Sequence, residues 1–154
     1  TSGYGCALVQ VESYYNLKRS AEDDSIFLSY RPMKQDQGRY CFYRRKPKNP
    51  TGMAIMEVEH GSGLVLDEDH FKRNYVGKNS NFNQINNSVS AVVKRFENDE
   101  DSLKIYVDSI TNRFQCIQLR YKMFEGVQVD EPQKRVFSIG SYYEEDVRKT
   151  ILIN

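Results

Sequence analysis

Apolar and polar residues alternate along most of this chain with a period of two, the signature of half-buried strands. Residues 7–15 place Val9, Val11 and Tyr15 on one face and Leu8, Gln10, Glu12 and Tyr14 on the other. A charged stretch over 18–24 predicts a loop. A second strand over 25–30 is expected to stop at Pro32, and 35–38 turn the chain into a third over 39–45. Residues 46–52 then lead into Met53-Ala54-Ile55-Met56-Glu57-Val58-Glu59, where Ala54, Met56 and Val58 share a face. Further on, 88–96 predicts one strand, and 102–109 another with Leu103, Ile105 and Val107 on one side. Residues 114–124 alternate Phe114, Cys116, Gln118, Arg120 and Lys122 with Gln115, Ile117, Leu119, Tyr121 and Met123. Asp130-Glu131-Pro132 reads as a crossing loop, and 135–144 as the last strand, with Phe137, Ile139 and Tyr143 together. About eight strands at near-regular spacing predict an all-β antiparallel sandwich.

One segment breaks the period. His60-Gly61-Ser62-Gly63 ends the Met53 strand, because two glycines permit a sharp exit. Leu64-Val65-Leu66 then leads into 67–77, which predicts a single short helix. Asp67 can cap it, Glu68 and Asp69 suit its positive start, Lys72 and Arg73 its negative end, and Gly77 can stop it. A capped helix that shows charge from a β-domain is a docking element by expectation. Glu68, Lys72, Arg73 and Tyr75 are its candidate receptor- or partner-binding residues. The stretch 78–87 that follows has five asparagines and no apolar period, and predicts a polar loop.

Composition narrows the function. With 154 residues the chain reads as one domain with a full core. A formal net charge of +1 gives no global attraction for nucleic acid or an anionic membrane. There are eleven tyrosines and no tryptophan. Tyr14, Tyr15, Tyr40, Tyr43, Tyr106, Tyr121, Tyr142 and Tyr143 fall in extended segments and read as strand packing rather than as base-stacking platforms. No apolar run is long enough to span a bilayer, Ile151-Leu152-Ile153 included, so membrane insertion is not expected. The chain starts at Thr1 without a signal-peptide pattern, which suggests a mature protein or a fragment.

Three cysteines, Cys6, Cys41 and Cys116, leave two readings open. An extracellular domain would hold one pair plus one cysteine bonded elsewhere, and a cytosolic one would hold three buried thiols. Asn86-Asn87-Ser88 is a glycosylation acceptor pattern at Asn86. No catalytic constellation emerges. His70 adjoins Asp69, but neighbours on a helix do not face each other, so His70 reads as solvent-facing. Neither His60 nor His70 has a metal-ligand partner nearby, and no cofactor or metal is expected. The basic run Arg44-Arg45-Lys46-Pro47-Lys48 reads as a solvated strand end ahead of a polyanion site, and 97–101 as a solvated turn.

Three blocks carry a family resemblance: Gly3-Tyr4-Gly5-Cys6-Ala7-Leu8-Val9-Gln10 with Tyr15-Asn16; residues 49–64 around Met53-Ala54-Ile55 and Ser62-Gly63; and 136–144, ending in Tyr142-Tyr143-Glu144. Together they resemble the C-terminal receptor-binding domain of the α2-macroglobulin and thioester-containing protein family. The resemblance implies a secreted, extracellular, non-enzymatic β-sandwich with one crossing helix, part of a much larger protein of innate immunity. It implies as partners the thioester and other macroglobulin domains of the parent, and a receptor or immune partner protein. Cys6 would pair with an upstream domain, leaving Cys41 and Cys116 as the internal disulfide candidates. The family's Gly-Cys-Gly-Glu-Gln thioester motif does not occur in this chain.

Family members that bind a lipoprotein receptor present two helix lysines about one turn apart. Here the second matches Lys72, but the first falls on Glu68, a poorer match to an acidic receptor pocket. With the polar loop after the helix, this looks more like the arthropod thioester-containing or macroglobulin-complement-related branch. Two alternatives stand beside that reading: a protease-inhibitor domain clearing complexes through a lipoprotein receptor, and an unrelated adhesion-type sandwich.

Overall fold

The computed structural model describes residues 23–34, 37–45, 52–60, 64–78, 82–83, 88–99, 102–123 and 135–153. Among them are strands β1 (Ile26–Met33), β2 (Gln37–Arg44), β3 (Ala54–Glu59), β4 (Leu64–Leu66), β5 (Phe82–Asn83) and β6 (Ser88–Ser90). Then come β7 (Val93–Asn98), β8 (Ser102–Val107), β9 (Gln115–Met123), β10 (Arg135–Ser141) and β11 (Arg148–Ile153), and one helix, α1 (Glu68–Asn74), follows β4. They form the expected sandwich. One sheet runs β1-β2-β9-β6-β5 with β4 also on β9, the other β11-β10-β3-β8-β7.

The period-two segments bury the faces their sequences marked. Ala54, Met56 and Val58 of β3 are fully buried, as are Leu103, Ile105 and Val107 of β8 and Phe137 of β10. In register, Met56 lies between Ile105 and Ile139, and Val58 between Leu103 and Phe137. From the facing sheet come Tyr40, Phe42, Ile117 and Leu119. The rings of Tyr40 and Phe137 meet edge to face across the core, 5.2 Å apart. Burying such rings contributes about 1.5–3 kcal/mol each.

Several expectations change. Pro32 does not stop its strand: β1 continues to Met33, with Pro32 opposite Gly38. β1 is an edge strand, where a residue without an N–H leaves no ladder bond unmade. Gly38 is needed there, because a Cβ would lie 2.7 Å from the Tyr30 ring. The strand expected over 88–96 is two strands in different sheets, β6 and β7, joined across Ala91 and Val92. The polar stretch 78–87 contains β5, paired through Phe82↔Val89 and Asn83↔Ser88. β10 ends at Ser141, whose hydroxyl accepts the amide N–H groups of Tyr143 and Glu144. That turn leaves Tyr143 exposed, away from Phe137 and Ile139, and starts the further strand β11. The strand expected over 7–15 lies outside the described residues.

Candidate partner-binding face

The helix stands where β9 lacks a continuous strand partner. One edge of β9 pairs with β2 from Gln37↔Arg120 to Phe42↔Gln115. Along the other, β6 runs parallel and covers only Gln115 and Cys116, while β4 covers Tyr121 to Met123. The helix segment bridges that gap. The Asp67 N–H donates to the Arg120 carbonyl at 2.8 Å. The Gln118 N–H donates to the Tyr75 hydroxyl at 2.7 Å. Both backbone groups would otherwise lack a ladder partner, so the two ends of the helix are sewn to β9.

Local sequence sets the helix limits. The Asp67 carboxylate accepts the His70 N–H at 3.2 Å, satisfying one of the open donors of the first turn. The Tyr75 N–H closes the last turn on the Phe71 carbonyl at 3.0 Å. Gly77, at φ +72°, then takes the left-handed conformation that carries the chain away. Phe71 is buried and meets Phe96 edge to face at 5.0 Å and Tyr75 at 5.6 Å. The hydrophobic contact holds the inner face while the cap and hydroxyl hold the ends.

The outer face carries the charge. Glu68 and Lys72 form an i,i+4 pair at 3.8 Å, with side chains 42% and 55% exposed. A pair that open contributes about 0–1 kcal/mol. The Asn98 amide donates to the Glu68 carboxylate at 3.0 Å, and the Lys72 ammonium lies 5.8 Å from the Phe96 ring. Lys72 therefore already has a carboxylate and a ring beside it. Arg73 is exposed and enters no ion pair with the described residues. The Asp67 carboxyl is held below its ordinary range, chiefly by the His70 N–H and secondarily by Lys122, whose ammonium is 3.8 Å away.

Of the four helix candidates, Glu68, Lys72 and Arg73 share this outer face, whereas Tyr75 is half-buried and anchors the helix. Burial holds its phenol above the ordinary value, against the Gln118 N–H and Arg39, which pull it down. His70 is half-buried rather than solvent-facing, and its Nδ1 lacks a hydrogen-bond partner. His60 is buried against the Tyr121 ring. Among the described residues no group of His, Cys, Asp and Glu can hold a metal ion. Cys41 and Cys116 are direct register partners in β2 and β9 and form a disulfide, with Cα atoms 4.1 Å apart. Cys6 and Asn86 lie outside the described residues. Phe96, Asn98 and Gln118 support the face from distant strands, and no local pattern in the chain marks them.

Residues 49–154 match the family model of the A-macroglobulin receptor binding domain. The chain belongs to that family. A macroglobulin receptor-binding domain is a binding unit rather than a catalytic one, in keeping with a site made of cap, anchor and charged face. The disulfide fits the oxidising, extracellular setting of macroglobulin domains. No helix among the described residues is long and apolar enough to cross a membrane. The matched region opens after β2, yet β2 is hydrogen-bonded along the matched strand β9. Two of the three resemblance blocks fall within the match; the block at 3–10 precedes it and lies outside the described residues.

Proposed function

We propose that this chain is the receptor-binding module of a secreted thioester-containing protein of innate immunity, one domain of a larger parent. In the intact parent it packs against the thioester domain and helps keep water from that bond. After proteolytic activation the interface opens, and the face of Glu68, Lys72 and Arg73 engages a receptor or immune partner. Tyr75 holds that face in place. Cys6, bonded to an upstream domain, and a glycan at Asn86 complete the reading.

The observation that carries it is the division of labour within α1. Phe71 and Tyr75 fasten the inner side to β9 and β7. The charged outer side makes, among the described residues, a surface ion pair, one amide contact and the approach of Lys72 to the Phe96 ring. Clearance through a lipoprotein receptor is disfavoured, because Glu68 balances the lysine that an acidic receptor pocket would require. An unrelated adhesion sandwich loses its footing with the family membership.

The test is charge reversal in the full-length parent. Lys72→Glu and Arg73→Glu should each slow binding of the activated parent to immune cells by about tenfold while leaving the domain folded. A packing role predicts faster spontaneous thioester hydrolysis in the same variants. Unchanged cell binding together with unchanged hydrolysis would remove the helix as the functional element.

A further inference from the structure

The outer face of the β1-β2-β9 sheet sets two arginines abreast. Arg31 of β1 and Arg39 of β2 are direct register partners, and Gln118 of β9 faces Arg39 from the other side. Like charges opposite each other weaken a ladder. Neither guanidinium enters an ion pair with the described residues. Elsewhere on the surface cations do find carboxylates: Arg44 reaches Asp23 at 3.0 Å and Lys149 reaches Asp24 at 3.3 Å. Among the described residues the Arg31 and Arg39 guanidinium groups therefore stand side by side without a carboxylate.

Beside Arg39 the surface sinks into a cavity of about 90 Å³, walled by Arg39, Tyr75, Ser88, Ser90, Cys116 and Gln118. It opens at the notch where β6 stops following β9 and the helix takes over. The wall is rich in donors. Arg39 offers a planar fork, and Ser88 and Ser90 offer hydroxyls. The Tyr75 hydroxyl accepts the Gln118 N–H, which leaves its own proton to donate. The Gln118 amide donates to the Gln37 side chain, so this wall is fixed in place. The hollow can admit a carboxylate and its methylene from the solvent side.

We infer that this pocket receives a carboxylate side chain from an acidic segment of a partner protein, with Arg39 as its principal ligand. The inference rests on the partner-binding reading for the origin of the carboxylate, but the pocket is separate from the charged face of the helix. A sulfated polysaccharide would engage a row of cations rather than one planar fork and its flanking hydroxyls. Of the neighbouring cations Arg44 is engaged by Asp23 and Arg45 lies over the Phe27 ring at 4.7 Å. Arg31 and Arg120 enter no ion pair with the described residues, so the disaccharide arm of the titration decides between the two ligands.

The experiment is a nuclear magnetic resonance titration of the 154-residue chain with an acetylated tetraglutamate peptide, its tetraglutamine counterpart and a heparin-derived disaccharide. Saturable shifts of the Arg39 side-chain N–H and of the Ser90 and Gln118 amides are expected with the glutamate peptide alone. Arg39→Gln should weaken that binding by about tenfold. Arg39→Lys, which keeps charge without the fork, should weaken it severalfold and serves if the first variant does not fold. Lys94→Gln, in β7 of the other sheet, should leave peptide binding within about twofold, since Lys94 is not part of the wall. Absence of saturation, equal binding by the Arg39 variants, or preference for the disaccharide overturns the inference. Cell binding left unchanged by the helix variants would overturn the partner-binding reading alone, because the peptide titration does not depend on it.

Discussion

The two sheets of this sandwich satisfy their backbones in different ways. In β11-β10-β3-β8-β7 every neighbour is antiparallel, and buried residues meet buried residues across successive ladders, as Met56 does with Ile105 and Ile139. In the other sheet the edge of β9 changes partner repeatedly: parallel β6, the phenol of Tyr75, the backbone of Asp67, then antiparallel β4. The regular sheet uses main-chain groups that almost any sequence supplies. The patched edge uses particular side chains, so it is where the chain's individuality gathers, with the charged helix on one side and the Arg39 pocket at its notch. An edge held by a few bonds can also open locally without unfolding the whole.

The sharpest way to break this comparison is Phe71→Ala. Loss of a fully buried ring should cost about 3–5 kcal/mol in chemical denaturation. Hydrogen exchange should then accelerate in α1, β4 and the outer edge of β9 before it changes in β3, β8 and β10. Uniform acceleration in both sheets would mean that the patched edge is not a separate unit. A smaller effect is expected from Tyr75→Phe, which removes one hydroxyl and leaves the Gln118 N–H unmatched. It should cost about 1–3 kcal/mol and speed exchange at Gln118 most. Exchange at Gln118 equal to that of the parent would show that water replaces the phenol at no cost.

The smallest effect is on pH dependence. The Asp67 carboxyl is held below its ordinary 3.8, first by the His70 N–H and then by Lys122. A carboxylate with a lowered folded-state value stabilises the fold above its unfolded value, and that stability is lost as pH falls through the folded value. Helix protection should therefore be flat at neutral pH and decline only in the acid range below about 4. In Asp67→Asn, which can still cap, the decline due to this group should disappear. Identical acid profiles for the two proteins would place the titrating group elsewhere.

Legibility in the sequence follows the same divide. The buried faces of β3 and β8 could be read from alternation alone, since Met56 and Ile105 sit inward by simple parity. The cap at Asp67 and the exit turn at Gly77 were equally readable, because capping and positive φ are local chemistry, although the helix itself stops earlier, at Asn74. Alternation misled at 88–96, where Val89, Ala91 and Val93 keep one phase while the chain leaves one sheet for the other. Parity records which side is buried, not which sheet does the burying. Pro32 misled for a related reason: whether a missing N–H matters depends on whether the strand is at an edge. Tyr143 followed the phase of Phe137 and Ile139, but Ser141 turned the chain first.

By itself the sequence determined the class of fold, the core faces, a capped helix after Leu66 and a charge pattern with Glu68 beside Lys72, all consequences of contacts within a few residues. The tertiary structure alone decided that Tyr75 is an anchor, that Cys41 meets Cys116, and that Arg31, Arg39 and the hydroxyls of Ser88 and Ser90 share one face. Those facts rest on strand order and register. A shift of one residue in β2 against β9 would turn Arg39 to the opposite face, and local pattern carries no record of the partner a strand will meet.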